Sequence, residues 1–184
     1  REKYSSKITG ESYEFEKYLE TINRQIKDIE NLVNEFSNFA RMPRPILKKI
    51  NIVEVISRSI DFVKMSSKNE INFFTNNKNL KISGDAEQLN RVFINLIKNS
   101  EESFLEKMSK EPDFKGNIEI EIVDNNDYIV IKIIDNGLGI TDAKKAMTPY
   151  VTTKKTGTGW GVPIVTKIIN EHSGNISIKN QKDK

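Results

Sequence analysis

The chain has 184 residues, 36% hydrophobic and 30% charged, with 29 basic against 26 acidic side chains and a formal charge of +3. That is enough for one globular domain with an appendage or for two small domains, and the interspersed signs, with no basic stripe interleaved with aromatics, argue against a nucleic-acid binder. No cysteine is present, which excludes a disulfide framework and any cysteine-ligated zinc or iron–sulfur site and makes a reducing compartment the natural expectation.

The chain opens Arg1-Glu-Lys-Tyr, without an initiator methionine or a signal-peptide core, so a piece of a longer protein is expected. From 12 to 41 the apolar residues Phe15, Leu19, Ile22, Ile26, Ile29, Val33, Phe36 and Ala40 recur in alternating three- and four-residue steps. That spacing predicts one long heptad-like helix, with Glu14, Lys17, Glu20, Arg24, Lys27 and Glu30 on its polar faces. Either the stripe lies on its own domain, or it belongs to a hairpin that pairs with a second copy as a bundle; the residues after the helix look self-contained, which favours the bundle.

Met42-Pro-Arg-Pro45 ends the helix, because proline cannot continue the hydrogen-bond ladder, and places a boundary near residue 45. Asn51 is positioned to cap a helix through Val53, Val55, Ile56, Ile60 and Val63, and residues 70–76 and 80–83 read as short strands. Asp85 is an apt cap for a helix over 86–108, apolar at Leu89, Val92, Phe93, Leu96, Ile97 and Phe104, with Asn95 and Asn99 one turn apart on one flank. Residues 118–123 and 128–135 read as strands around an Asp124-Asn-Asn-Asp127 turn; the second holds the longest apolar stretch, far below the roughly 18–20 residues of a membrane span. A short helix over 141–147, a loop over 148–158, a helix from 162 to a glycine stop at Ser173-Gly174 and a strand over 175–180 complete the chain.

Three motifs in this order describe a nucleotide pocket: Asn95-x-x-x-Asn99, Asp135-Asn-Gly-Leu-Gly139 and Gly157-Thr-Gly-Trp-Gly161. A carboxylate at a strand end accepts from the exocyclic amine of adenine and disfavours guanine, while the glycines beside it let backbone approach a ligand. The later glycines open a helix, whose free N–H groups and positive end suit phosphate.

Order and spacing resemble the GHKL ATP-binding superfamily, which includes gyrase, Hsp90, MutL and the histidine kinases, over most of residues 50–180. Asn95-Leu-Ile-Lys-Asn-Ser100 resembles its N box, Asp135 to Gly139 its first glycine box, Thr148-Pro-Tyr-Val-Thr-Thr-Lys154 its lid region and Gly157 to Gly161 its second glycine box. The resemblance implies an α+β fold, a two-layer α/β sandwich of the Bergerat type, preceded by a long helix of a dimerisation hairpin. It implies ATP and Mg²⁺ as ligands, with Asn99 giving its side-chain oxygen to the metal, which prefers hard oxygens and takes few from protein. It further implies nucleotide contacts from Asn95, Asp135, Gly137, Gly139, Ile140, Lys154, Gly157, Thr158, Gly159, Trp160 and Gly161.

Asn95 bears on the chemistry. Where hydrolysing members of the superfamily carry a water-activating glutamate, this chain has an amide, which accepts no proton at useful pH and so favours a kinase. Lys154, after the paired threonines, is the cation expected at the β- or γ-phosphate, with Asn95 and Lys154 as the catalytic pair. Trp160 and Pro163 depart from the family pattern, and the indole either stacks near the nucleotide or fills a core gap. His172, the only histidine, is expected to be a helix-end residue and not the phosphoacceptor.

Phe36-Ser-Asn-Phe-Ala-Arg-Met-Pro-Arg-Pro45 is similar to the hairpin end of nitrogen-regulation sensor kinases of the NtrY type. That narrower likeness implies a membrane-anchored parent with this part on the cytoplasmic side, homodimerisation through the hairpin and an aspartate-bearing response regulator as partner. Residues 1–45 are then the end of the phosphotransfer hairpin and 46–184 the catalytic domain, with the acceptor histidine upstream. An ATPase clamp and a nucleotide-insensitive dimeric scaffold that docks a regulator are the competing expectations.

Overall fold

The structure, a computed structural model, describes residues 12–125, 127–140, 142, 147–148 and 159–180. The chain divides into two compact units, one holding the residues up to Met42 and the other beginning at Pro43.

The first unit contains α1 (Ser12–Ala40), as its heptad-like spacing predicts. Its apolar stripe faces solvent: Tyr18, Ile22, Ile26, Ile29 and Val33 are each more than half exposed.

The second unit is built from β1 (Lys48–Asn51), α2 (Ile52–Lys64), β2 (Glu70–Phe74), β3 (Lys81–Gly84), α3 (Ala86–Met108), β4 (Asn117–Asp124), β5 (Ile129–Asp135) and α4 (Gly161–Glu171). β1 and β3 form an antiparallel pair; β2, β4 and β5 form a second sheet in that order, β2 parallel and β5 antiparallel to β4. In β4 alternation puts Ile118, Ile120 and Ile122 on one buried face, and α3 packs between α2 and α4 to make the second layer. The core joins these isoleucines to Val55, Ile56, Val92, Ile97, Phe104, Val165 and Ile168. The expected α+β sandwich is therefore present.

Both helix starts are capped as the sequence predicts. Asn51 Oδ1 accepts from the Val53 N–H at 3.2 Å, and Asp85 Oδ1 accepts from the N–H groups of Glu87 and Gln88, each at 3.1 Å.

Three local readings change. β1 was not expected; Lys48-Lys49-Ile50-Asn51 holds one apolar residue, and pairing with β3 recruits it. Residues 175–180 join no sheet among the described residues. At the end of α4 the left-handed position falls to Ser173 (φ 59°), one residue before the expected glycine. Ser173 N–H donates to Asn170 O at 3.0 Å and Gly174 N–H to Ile169 O at 2.9 Å, the paired bonds of a Schellman end. Glycine is needed at 174 for closeness, since a Cβ there would sit 3.0 Å from Ile169 Cγ2 and 3.3 Å from Ile169 O. The expected helix over 141–147 falls largely outside the described residues.

Candidate nucleotide-binding site

Asp135 is the last residue of β5, and its carboxylate is exposed and held on both oxygens. Oδ2 accepts from Ser100 Oγ on α3 at 3.1 Å, and Oδ1 from the Gly137 N–H at 2.9 Å. A carboxylate has about four lone-pair sites, so two such bonds orient the group and leave acceptor capacity for a ligand amine.

The loop beyond it is strapped at almost every residue. Asn136 plugs into the start of β4: its Oδ1 accepts from Asn117 N–H at 2.8 Å and its Nδ2 donates to Lys115 O at 2.9 Å. Lys107, at the end of α3, donates to Asn136 O at 2.9 Å while its ammonium lies 4.6 Å from the centroid of the Phe114 ring. Leu138 N–H donates to Ser103 Oγ at 2.9 Å. Ile140 is gripped at both backbone groups by one side chain, Asn180 Oδ1 accepting from its N–H at 2.8 Å and Asn180 Nδ2 donating to its carbonyl at 2.7 Å.

This strapping explains the glycines. A Cβ on Gly137 would collide with Ser103 Oγ, and Gly139 has φ +72° with Asn180 Oδ1 only 2.8 Å from where a Cβ would stand. The loop is thus shaped by α3 and by the chain end of the described domain before any ligand arrives.

Asn95 and Asn99 are both half-buried on α3, one turn apart. Asn99 abuts the start of α4: a Cβ built on Gly161 would stand 3.5 Å from Asn99 Nδ2 and 3.6 Å from Oδ1. Adjacent residues of α3 therefore reach two motifs, Asn99 the second glycine cluster and Ser100 the acid of the first. Gly159 takes φ +74°, and Trp160 follows at 2% exposure in the N-cap position of α4, so the indole belongs to the packed interior. Lys154, Gly157 and Thr158 lie outside the described residues. Ser100, Ser103, Asn136 and Asn180 are not among the expected site residues; Ser100 and Asn136 carried a signal, each standing inside a quoted motif, while Ser103 and Asn180 carried none.

His172 closes α4 as a structural residue. Its Nδ1 lies 2.8 Å from Ile168 O, to which it donates, and its Nε2 accepts from the Asp85 N–H at 2.9 Å, which sets the neutral Nδ1–H tautomer.

Residues 84–184 match the family described as histidine kinase-, DNA gyrase B-, and HSP90-like ATPase. The chain belongs to this family. Over 98% of the chain it is 37% identical to a putative NtrY-like sensor histidine kinase of Rickettsia prowazekii, covering 30% of that protein. It is 30% identical, again over 98% of its length, to the nitrogen regulation protein NtrY of Azorhizobium caulinodans, covering 24% of it. Among solved structures, the histidine kinase ThkA in complex with response regulator TrrA superposes with a TM-score of 0.65 at 22% identity, over 87% of this chain and 45% of that one, a likeness of fold. The chain thus spans about three-tenths or less of the length of these curated relatives. Among the described residues no helix is long and apolar enough to cross a membrane.

Proposed function

We propose that residues 46–184 bind MgATP and deliver its γ-phosphoryl to a histidine, from which it passes to an aspartate of a response regulator. The observation that carries this reading is the double reach of α3: Ser100 holds the Asp135 carboxylate while Asn99 lies against Gly161. A base and a phosphate chain are thereby served from one helix turn.

In this reading Asp135 takes the adenine amine on its spare acceptor sites, and the strapped loop at Gly137, Gly139 and Ile140 lies along the base without rearranging. Asn99 offers Mg²⁺ one hard side-chain oxygen, the kind of ligand that ion takes from protein, and the metal supplies neutralisation of phosphate charge. Gly157, Thr158, Gly159, Trp160 and Gly161 lead into α4, whose first N–H groups suit the phosphates. Lys154 is assigned to the γ-phosphate, stabilising charge that develops there. Asn95 has no acid–base capacity for activating water, so the γ-phosphoryl awaits an external nucleophile; the bond to ADP breaks and a phosphorus–nitrogen bond forms on the acceptor.

The relatives' designation as sensor histidine kinases supports the transfer to histidine, and the ThkA complex with TrrA supports a response regulator as partner. The solvent-facing stripe of α1 supports residues 1–45 as part of a dimerisation hairpin, because Ile26 at 59% and Ile29 at 61% exposure need a covering surface. Attachment of the parent protein to a membrane, with this part on the cytoplasmic side, belongs to the same reading. Calorimetric titration of the chain with MgATP tests it: saturable one-to-one binding is expected, and no binding heat at millimolar nucleotide across several temperatures would refute it.

A further inference from the structure

The segment between α1 and β1 begins the second unit at Pro43 and is fastened there by hydrogen bonds. Ile46 is 69% and Leu47 50% exposed, so apolar burial does little for it. Instead Gln88 Nε2 donates to Pro43 O at 2.9 Å, and Ile46 N–H donates to Asp85 Oδ2 at 2.9 Å. Both side chains belong to the start of α3, the helix that carries Asn95 and Asn99.

Asp85 is thus bonded in three directions. Oδ1 caps α3 through Glu87 and Gln88, Oδ2 takes the segment at Ile46, and its N–H donates to His172 at the end of α4. The cap needs only one carboxylate oxygen; the other serves the segment. Gln88 is comparably specialised, since its Oε1 is buried without a partner among the described residues while its Nε2 makes the bond to Pro43. Pro43 and Pro45 add stiffness, each fixing its own φ. Arg41 N–H still donates to Ser37 O at 2.9 Å and Met42 N–H to Phe39 O at 3.4 Å, so the stretch held by α1 and the stretch held at Pro43 meet at the Met42–Pro43 junction.

We propose that Asp85 and Gln88 form a latch on residues 43–46 that confines swivelling between the two units to the Met42–Pro43 junction, making Asp85 a positioning residue for phosphoryl delivery. The tethering stands without the nucleotide reading; its consequence for transfer rests on it. A loosened latch widens the range of orientations from which the bound nucleotide meets its acceptor, and productive encounters become rarer without any change in nucleotide affinity.

The latch can be severed without removing the cap. Asp85→Asn keeps one oxygen for the α3 N–H groups and sets an NH2 group, which cannot accept, against the Ile46 N–H; Gln88→Met leaves Asp85 intact, releases Pro43 and removes the orphan acceptor. Because the chain has no cysteine, spin labels are placed cleanly at Lys27→Cys on α1 and Asp61→Cys on α2, diluted with unlabelled chain. Each latch variant is expected to broaden the distance distribution about twofold or more, and Asp85→Asn to cut protection of the Ile46 amide about tenfold, with MgATP affinity within about twofold of the parent. Unchanged widths in both variants, or an Ile46 amide that already exchanges freely in the parent, would overturn the latch. If Asp85→Asn unfolds the domain, Gln88→Met alone decides. Failure of the parent to bind MgATP would sink the nucleotide reading while leaving the label distances and the amide exchange fully interpretable.

Discussion

Ser100 on α3 donates to Asp135 Oδ2 at 3.1 Å, so the acid that ends β5 is aimed by the helix that also carries Asn99. Removing that hydrogen bond leaves the carboxylate held on one oxygen only, by the Gly137 N–H, and less firmly aimed. Ser100→Ala is expected to weaken MgATP binding about five- to tenfold, somewhat less than the full worth of one hydrogen bond to a charged group because the Gly137 N–H still orients the acid. Urea unfolding of the same variant should move by no more than about 1 kcal/mol, so titration and unfolding together separate aim from stability.

In the proposed reading Asn95 occupies the place where a base would permit hydrolysis. Asn95→Glu is expected to raise phosphate release from MgATP at least about tenfold over the parent, a modest share of what a placed general base contributes. A coupled phosphate assay reads this directly, and a parent that already hydrolyses briskly would favour the ATPase-clamp alternative.

At Gly139 the backbone holds φ +72° with Asn180 Oδ1 2.8 Å from the absent Cβ. Gly139→Ala meets both a left-handed backbone and the clasp on Ile140, and a loss of about 1–3 kcal/mol is expected, with weaker nucleotide binding alongside. Differential scanning calorimetry of the variant, with and without MgATP, checks the two effects.

Burial pushes the Asp85 carboxyl up, but bonds from the N–H groups of Ile46, Gln88 and Glu87, with a smaller contribution from the nearby His172, outweigh this and leave it below its ordinary value of 3.8. A carboxyl depressed in the folded state contributes stability above its unfolded value, and that contribution is lost as pH falls through the folded one. The parent should therefore lose stability relative to Asp85→Asn only on acidification below about pH 4, and the two should run parallel above about pH 5 in urea melts.

The two units should respond oppositely to apolar substitutions. Phe104, fully buried beneath Phe114, is expected to cost about 3–5 kcal/mol as Phe104→Ala, whereas Ile29→Asn on the exposed stripe of α1 should leave the domain's melting unchanged. Sedimentation would show reduced self-association for Ile29→Asn, as expected of a helix covered by a second copy.

Sequence distance decides which parts of the fold and site were legible. α2 and α3 declare themselves because Val53, Ile56, Ile60 and Leu89, Phe93, Ile97 repeat at helical spacing behind capping residues. β1 is hidden because its pairing partner lies some thirty residues on, and a strand with two lysines has no periodic signature of its own. The motif glycines and Asp135 were visible as chemistry, but their supports were not: Asn180 reaches Ile140 across 40 residues, and Ser103 reaches Leu138 across 35. Ser173 defeats the glycine rule because the helix end places its closest backbone approach, not its positive φ, at Gly174.

Base discrimination tests the assignment of Asp135 most directly: the affinities of the chain for MgATP and MgGTP, compared with those of Asp135→Asn. The parent is expected to prefer ATP by about a hundredfold or more, and the variant to bind ATP at least about tenfold more weakly with that preference largely gone. Equal binding of the two nucleotides by the parent, or a variant indistinguishable from it, would contradict the assignment of the adenine-binding acid.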